Sequence, residues 1–165
     1  MELATLRDLF QDELRDLYSA ETQILKALPK MAEAASSPDL KKAFNEHLEQ
    51  SRGHVVRLEQ IFQKLGADPK GKVCKAMQGL VAEGDEMIQQ QAAPAVKDAG
   101  LIAAAQRVEH YEMAGYGTVR TYAQELGDKE VMKLLQTTLD EEGDADKKLT
   151  KLAEHVINRE AMAGV

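Results

Sequence analysis

The sequence predicts an all-α protein built as a bundle of four long helices. Alanine, leucine, glutamate, lysine and glutamine, which are strong helix formers, dominate the 165 residues, and β-branched residues are sparse. Apolar residues recur at helical spacing over four long segments. Short breaks rich in proline, serine or glycine divide these segments into two helical hairpins, which is typical of an antiparallel four-helix bundle.

The first hairpin is predicted to consist of helices over residues 5–35 and 38–65. Thr5 is a suitable N-cap for the first helix. Its apolar positions continue beyond Pro29, so we expect a kink there rather than the end of the helix. Gly66 is suited to end the second helix in a left-handed conformation.

The second hairpin is predicted to consist of helices over residues 94–126 and 129–159, joined by a tight turn at Gly127. The last residues, 160–165, are expected to fray. A shorter helix over residues 73–91 supplies the crossover connection between the hairpins. The length and the single apolar pattern predict one domain over residues 1–165.

Composition excludes several classes of protein. The net charge of −7 argues against a nucleic-acid binder that depends on phosphate contacts. No apolar run is long enough to span a membrane, and the N-terminal segment "MELATLRDLFQDEL" lacks the basic and apolar regions of a secretory signal. Cys74 is the single cysteine, so we expect no intrachain disulfide. These features predict a cytoplasmic protein.

An internal repeat places one glutamate at the same depth in each hairpin. A shift of 91 residues, the separation of Glu21 and Glu112, superimposes the two hairpins without a gap. The turns near Ser36 and Gly127 then coincide. Part of this match reflects shared helical periodicity, but the equal positions of the turns indicate a pseudo-symmetric bundle. Both glutamates lie on the apolar stripes of their helices.

Further acidic residues are expected at the level of these two glutamates, because residues equidistant from a hairpin turn lie side by side. The candidate metal ligands are Glu21, His54, Glu109, Glu112, Glu142 and Asp146. Carboxylates gathered in a core are unfavourable, since each is costly to desolvate and like charges repel. Bound divalent cations remove both objections, and carboxylate and imidazole ligands from several helices suit iron or manganese, as a dinuclear centre.

Simpler interpretations of these residues remain open. His47 and His54 are also consistent with ordinary, partly buried histidines, and a single glutamate on an apolar stripe is often a boundary residue. Glu141 is expected to be a solvated charge or a group that supports a ligand. Cys74 is expected to be a small buried apolar residue, with a reactive thiol as the alternative.

Three segments resemble the YciE/YciF family of bacterial stress proteins: "LRDLYSAETQILKALPKMAEAA", "KVCKAMQGLVAEGDE" and "LIAAAQRVEHYEMAGYGTV". The resemblance implies a ferritin-like fold, similar to that of rubrerythrins, a homodimer, and a carboxylate-bridged centre of the di-iron type. Glu21, the "EHYE" pair Glu109 and Glu112, and the acidic residues Glu142 and Asp146 match the family pattern.

The sequence departs from ferritin-like di-iron proteins, which usually carry Glu-x-x-His on the second and last helices. Neither motif occurs at the expected place here, and His54 could substitute for a missing ligand. Two functions therefore follow. One is a stress-response protein whose iron or manganese centre acts on peroxide, O₂ or ferrous iron. The other is a non-enzymatic interaction protein with a degenerate or empty site. A ferritin-like cage for iron storage or DNA protection is disfavoured by the acidic charge and the expected dimer.

Overall fold

A computed structural model describes residues 3–164 as an all-α bundle, as the sequence predicted. The helices are, in chain order, α1 (Leu6–Ala34), α2 (Pro38–Leu65), α3 (Lys75–Gln89), α4 (Pro94–Glu125), α5 (Lys129–Leu152) and α6 (Asn158–Ala163). No β-strand forms within these described residues. Helices α1 and α2 form one hairpin and α4 and α5 the other, while α3 packs across α1 and α4.

The first helix begins with the predicted cap. The Thr5 hydroxyl accepts a hydrogen bond from the Asp8 backbone N–H at 3.2 Å, and the Asp8 carboxylate accepts one from the Thr5 N–H at 2.9 Å. This reciprocal pair satisfies two N–H groups that a helix start leaves unpaired. Helix α1 then continues through Pro29 to Ala34, because the buried residues on both sides of the proline hold it against the bundle.

A buried carboxylate joins the turn of the first hairpin to the second hairpin. Asp98 of α4 accepts hydrogen bonds from the backbone N–H groups of Ser36 at 2.8 Å and Ser37 at 2.7 Å. Asp98 is 2% exposed. Such charge-assisted bonds are stronger than neutral ones, so this contact fixes where α4 lies beside the α1–α2 turn.

The crossover helix α3 begins two residues later than predicted, at Lys75, with Cys74 as its N-cap. Cys74 is buried, as expected, and its Sγ lies 3.0 Å from the Tyr111 hydroxyl. Burial raises the pKa of the Cys74 thiol, and this favours the inert interpretation over a reactive thiol.

The last helix differs from the prediction. Helix α5 ends at Leu152, and one π-helical turn over Ala153–Ile157 leads into α6. The turn places Ile157, which is 1% exposed, in the apolar core. The tail expected to fray is helical as far as Ala163, and Val165 lies outside the described residues.

Two apolar clusters fill the bundle, one towards each end. The cluster at the α1–α2 turn includes Ile24, Leu28, Phe44, Leu101 and Leu149. The cluster at the α4–α5 turn includes Phe10, Leu14, Leu58, Phe62 and Leu135. Each fully buried side chain of this size contributes about 1.5–3 kcal/mol to stability. None of the described helices combines the length and apolarity needed to cross a membrane.

Candidate metal centre

A layer of buried ionisable side chains lies between the two apolar clusters. Its members are Glu21 on α1, His47 and His54 on α2, Glu109 and Glu112 on α4, and Glu142 on α5. On α1, for example, Leu17 belongs to one cluster and Ile24 to the other, so Glu21 falls between them. Four of these side chains are 0% exposed, and the largest exposure is 6%, at His47.

One group of potential ligands joins α2, α4 and α5. It contains His47, Glu109, Glu112 and Glu142, each of which offers one ligand atom within 4.8 Å of the others. His47 Nε2 lies 3.1 Å from Glu109 Oε1 and 3.7 Å from Glu142 Oε2. Three carboxylates and one imidazole can therefore surround a single small cation.

A second group joins α1, α2 and α5. It contains Glu21, His54 and Glu142. His54 Nδ1 lies 3.0 Å from Glu21 Oε1 and 2.8 Å from Glu142 Oε1. Glu142 belongs to both groups, so its carboxylate would be shared if each group held an ion.

The ligand atoms of this layer fit bound cations, because several of its carboxylate oxygens make no hydrogen bond. Among the described residues, these buried oxygens include Glu21 Oε2, Glu109 Oε2 and both carboxylate oxygens of Glu112. An unsatisfied buried polar group costs about 1–3 kcal/mol, and a charged group costs more. Carboxylate oxygens and imidazole nitrogens are ligands that iron and manganese accept.

The two glutamates of α4 show the cost of this arrangement. Burial raises the pKa of Glu112 well above its usual range, and the charges of Glu142, Glu21 and Glu109 raise it further. Burial and the neighbouring Glu142 likewise raise the pKa of Glu109. Both shifts favour the neutral acids in the metal-free protein.

The pKa values of His54 and Glu142, which are in contact, are shifted in opposite directions. Burial disfavours the charged imidazolium, but the contacts with Glu142 and Glu21 outweigh it and raise the pKa of His54 to about 10. Burial also opposes ionisation of Glu142, yet its contacts with Glu109 and His54 lower its pKa to about 2. The pair therefore carries opposite charges when no metal is bound.

The outer side of His54 contacts an ion pair that sequence reasoning did not assign to the site. His54 Nε2 lies 2.9 Å from Glu141 Oε2, so with its proton on Nε2 it donates a hydrogen bond there and leaves the Nδ1 lone pair facing the cluster. Arg57 donates two hydrogen bonds to Glu141, at 2.6 Å and 2.8 Å. This geometry agrees with the supporting role considered for Glu141.

A tyrosine lies directly against the layer. The Tyr116 hydroxyl donates a hydrogen bond to Glu21 Oε1 at 2.6 Å. Burial raises the pKa of Tyr116 well above its usual range, and the Glu21 and Glu112 charges add to this effect. Tyr116 therefore holds its proton and fixes one oxygen of Glu21.

The structure brings five of the six predicted ligands together and places Asp146 apart from them. Asp146 accepts a hydrogen bond from the Gln106 amide at 3.1 Å and lies 3.3 Å from His110 Nε2. His47, for which an ordinary role was the favoured interpretation, lies inside the layer instead. Its separation of seven residues from His54, two helical turns, is the sequence signal that places both on one face of α2.

Known proteins share this sequence over almost its whole length. The sequence model of DUF892, described as a domain of unknown function, matches residues 5–162. The chain belongs to this family. Protein YciF of Escherichia coli (strain K12) is 44% identical over 162 residues, which cover 98% of each chain. The resemblance found in the sequence is thereby confirmed.

Solved structures confirm the fold. The Escherichia coli stress protein YciF superimposes with a TM-score of 0.91 over 94% of this chain and 99% of that one. YcfI from Rhodopseudomonas palustris, 46% identical, gives a TM-score of 0.87 over 90% of this chain and 95% of its own. A ferritin-like diiron-carboxylate protein from Bacillus anthracis, 16% identical, gives 0.71 over 90% and 98% of the two chains. The bundle is therefore ferritin-like.

Proposed function

We propose that this chain binds two iron or manganese ions in the buried layer and acts in the cytoplasm as a stress-response protein. The observation that carries the proposal is the set of unpartnered carboxylate oxygens between two apolar clusters. An apolar interior that holds them without cations would be strongly destabilised. The description of the Escherichia coli relative as a stress protein supports the physiological setting.

Different residues of the layer would bind each of the two ions. His47, Glu109 and Glu112 would hold one ion and Glu21 and His54 the other, with Glu142 between them. Tyr116 would keep Glu21 oriented, and the apolar clusters would exclude bulk water. When bound, the metal pair would supply reversible redox chemistry towards a small oxidant such as O₂ or peroxide, or towards ferrous iron.

Metal analysis of the purified chain tests this proposal. The chain is reconstituted anaerobically with Fe²⁺ or Mn²⁺, desalted, and measured by mass spectrometry of the elements and by thermal unfolding. We expect two ions per chain and a higher melting temperature, because ligands that bind only the folded state stabilise it. Glu142→Ala, which removes the shared ligand, should abolish both effects. Absence of stoichiometric metal together with an unchanged melting temperature would overturn the proposal.

A second candidate function is favoured by the contacts of His54. This imidazole, positioned between Glu21 and Glu142, retains a positive charge that compensates part of the cluster without any metal. The chain would then be a non-enzymatic, stress-induced interaction protein with an empty site. His54→Gln separates the two candidates. It should weaken metal binding if the first holds, whereas in a chain without bound metal it should change only the free energy of unfolding.

We further propose that two chains form a homodimer, as the family resemblance implies. Size-exclusion chromatography with multi-angle light scattering measures the mass directly against the chain mass of 18.2 kDa. Twice that mass supports the dimer. A mass many times larger would instead indicate a cage and would reopen the iron-storage alternative.

A further inference from the structure

Two clefts of different chemistry reach the same edge of the buried layer, where His47 and Glu109 lie. One lies beneath α3, and its walls include Leu28, Leu80 and Val81. The other opens between α2 and α5. Both clefts are bordered by His47 and Glu109 themselves.

The cleft between α2 and α5 carries charged side chains at its mouth. Glu46 of α2 and Lys148 of α5 form an ion pair across it, and both side chains are about half exposed. Asp144 and Gln50 also line this cleft. Lys42 lies 3.8 Å from Glu46 but does not line the cleft.

The inner end of the same cleft presents potential ligand atoms. Glu109 Oε2 is buried and makes no hydrogen bond within the described residues, and His47 Nε2 lies 3.1 Å from Glu109 Oε1. Glu109 is 2% exposed. A cation that passes the mouth therefore meets a carboxylate and an imidazole of the buried layer, past walls that also include Phe44 and Leu149.

We propose that this cleft is the entry route for divalent cations, and that Lys148 slows their passage while Glu46 and Asp144 attract them. The inference rests on the proposed function, since the destination of the cations is the buried layer. The cleft under α3 is less suited to them, because its walls are mainly apolar and Asp85, a carboxylate that lines it, is already paired with Lys30.

Kinetics of Co²⁺ uptake by the full chain test the route. Stopped-flow absorbance is recorded at low ionic strength, where surface charges act most strongly on association rates. Lys148→Ala should accelerate uptake by about three- to tenfold, and Glu46→Gln should slow it by a similar factor. Lys42→Ala is the matched control. It removes the same charge near the same glutamate but lies outside the cleft, so its effect should be smaller.

Filling the other cleft gives a second control. A Cβ atom at Gly84, which lines the apolar cleft, meets nothing within 4 Å, so Gly84→Ala narrows that cleft without a clash. Its Co²⁺ uptake should match that of the unchanged chain. Equal rates in Lys148→Ala and Lys42→Ala, or slower uptake in Gly84→Ala alone, overturn the route while equilibrium stoichiometry still supports the metal site. A chain that binds no Co²⁺ at equilibrium overturns the proposed function and the route together.

Discussion

Glu112 is the residue at which the energetic conflict of the site is greatest. It is 0% exposed, and neither of its carboxylate oxygens has a hydrogen-bond partner among the described residues. Glu21, Glu109 and Glu142 all place negative charge near it. Its burial should therefore lower rather than raise the stability of the metal-free chain.

Glu112→Gln should separate these two effects. In the metal-free chain the amide removes a group that must otherwise be protonated at neutral pH, so the free energy of unfolding should rise by about 1–3 kcal/mol. Metal binding should fall, because a charged ligand is lost. Urea unfolding with a chelator and with Mn²⁺ measures both. Glu33→Gln, at an exposed position of α1, is the control and should change neither. A destabilised metal-free variant would contradict this account of Glu112.

Glu141 contacts the buried layer through His54. Its carboxylate accepts hydrogen bonds from both His54 and Arg57. Replacement of such a supporting group typically weakens metal binding by about 10- to 100-fold. Glu141→Gln should therefore weaken Co²⁺ binding within this range and shift the visible absorption spectrum of the bound Co²⁺, while two ions still bind at saturation.

A matched surface ion pair controls for loss of charge alone. Glu49 pairs with Arg52 on α2, and both side chains are more than half exposed. Glu49→Gln should leave both Co²⁺ affinity and spectrum unchanged. If the two glutamine variants behave alike, the positioning role of Glu141 is wrong.

At the scale of elements, glycines in α3 and α4 have different effects on stability. A Cβ at Gly79, an exposed position of α3, meets nothing within 4 Å. A Cβ at Gly115 of α4 would lie 2.7 Å from Leu17 Cδ2. The first glycine only weakens its helix, whereas the second lets α1 and α4 approach each other beside the site.

Alanine at these two glycines should therefore shift stability in opposite directions. Gly79→Ala should raise the free energy of unfolding by about 0.5–1 kcal/mol, since alanine loses less conformational freedom in a helix. Gly115→Ala should lower it by about 1–3 kcal/mol, because Leu17 must move within a packed core. Urea unfolding of both variants provides the measurement, and a shift of the same sign in both would refute the packing argument.

Sequence patterns predicted these elements well where the signal was local. Caps, prolines and apolar spacing placed the starts of the four long helices, and the ends of the first three, within one residue, because each of these signals acts within one or two helical turns. The π-helical turn after Leu152 was not predicted, since a widened hydrogen-bond pattern has no compositional signature of its own. The turn coincides with the burial of Ile157, in a segment that packs against α4.

At the scale of the whole molecule, the metal-free chain should lose stability as the pH rises. The raised pKa values of Glu109 and Glu112 give stability that is complete below about 4.5 and is lost as the pH rises through their folded-state values. His54, raised to about 10, contributes fully below about 6.5 and loses this contribution as the pH rises towards 10. Glu142, lowered to about 2, contributes above about 4.5 and loses stability only in stronger acid.

Unfolding by urea in the presence of a chelator at pH 6 and pH 9 checks this sign. The free energy of unfolding should be lower at pH 9 by a few kcal/mol, at about 1.4 kcal/mol per unit of pKa shift. His54→Gln should reduce the difference between the two pH values. Equal or greater stability at pH 9 in the unchanged chain would show that the buried layer does not retain these protons.

The carboxylates of the site were predictable because they interrupt apolar stripes at equal distances from two turns. The residues that contact these carboxylates were harder to predict. Whether His47 or Asp146 faces the layer depends on the rotation of each helix about its axis, which residue spacing leaves undetermined. The ion pair of Arg57 and Glu141 depends on how far long side chains reach from α2 to α5. Such contacts arise only when the hairpins are packed together.

The hydrogen bonds between Asp98 and the first turn also affect the position of α4 beside the buried layer. A helix that slides by one turn moves by about 5.4 Å, which would detach both backbone N–H groups from this carboxylate. Glu109 follows Asp98 by about 16 Å along the same helix. Hydrogen bonds at one end of the bundle therefore fix the axial position of α4, and with it the level at which the α4 glutamates lie beside His47 and Glu142.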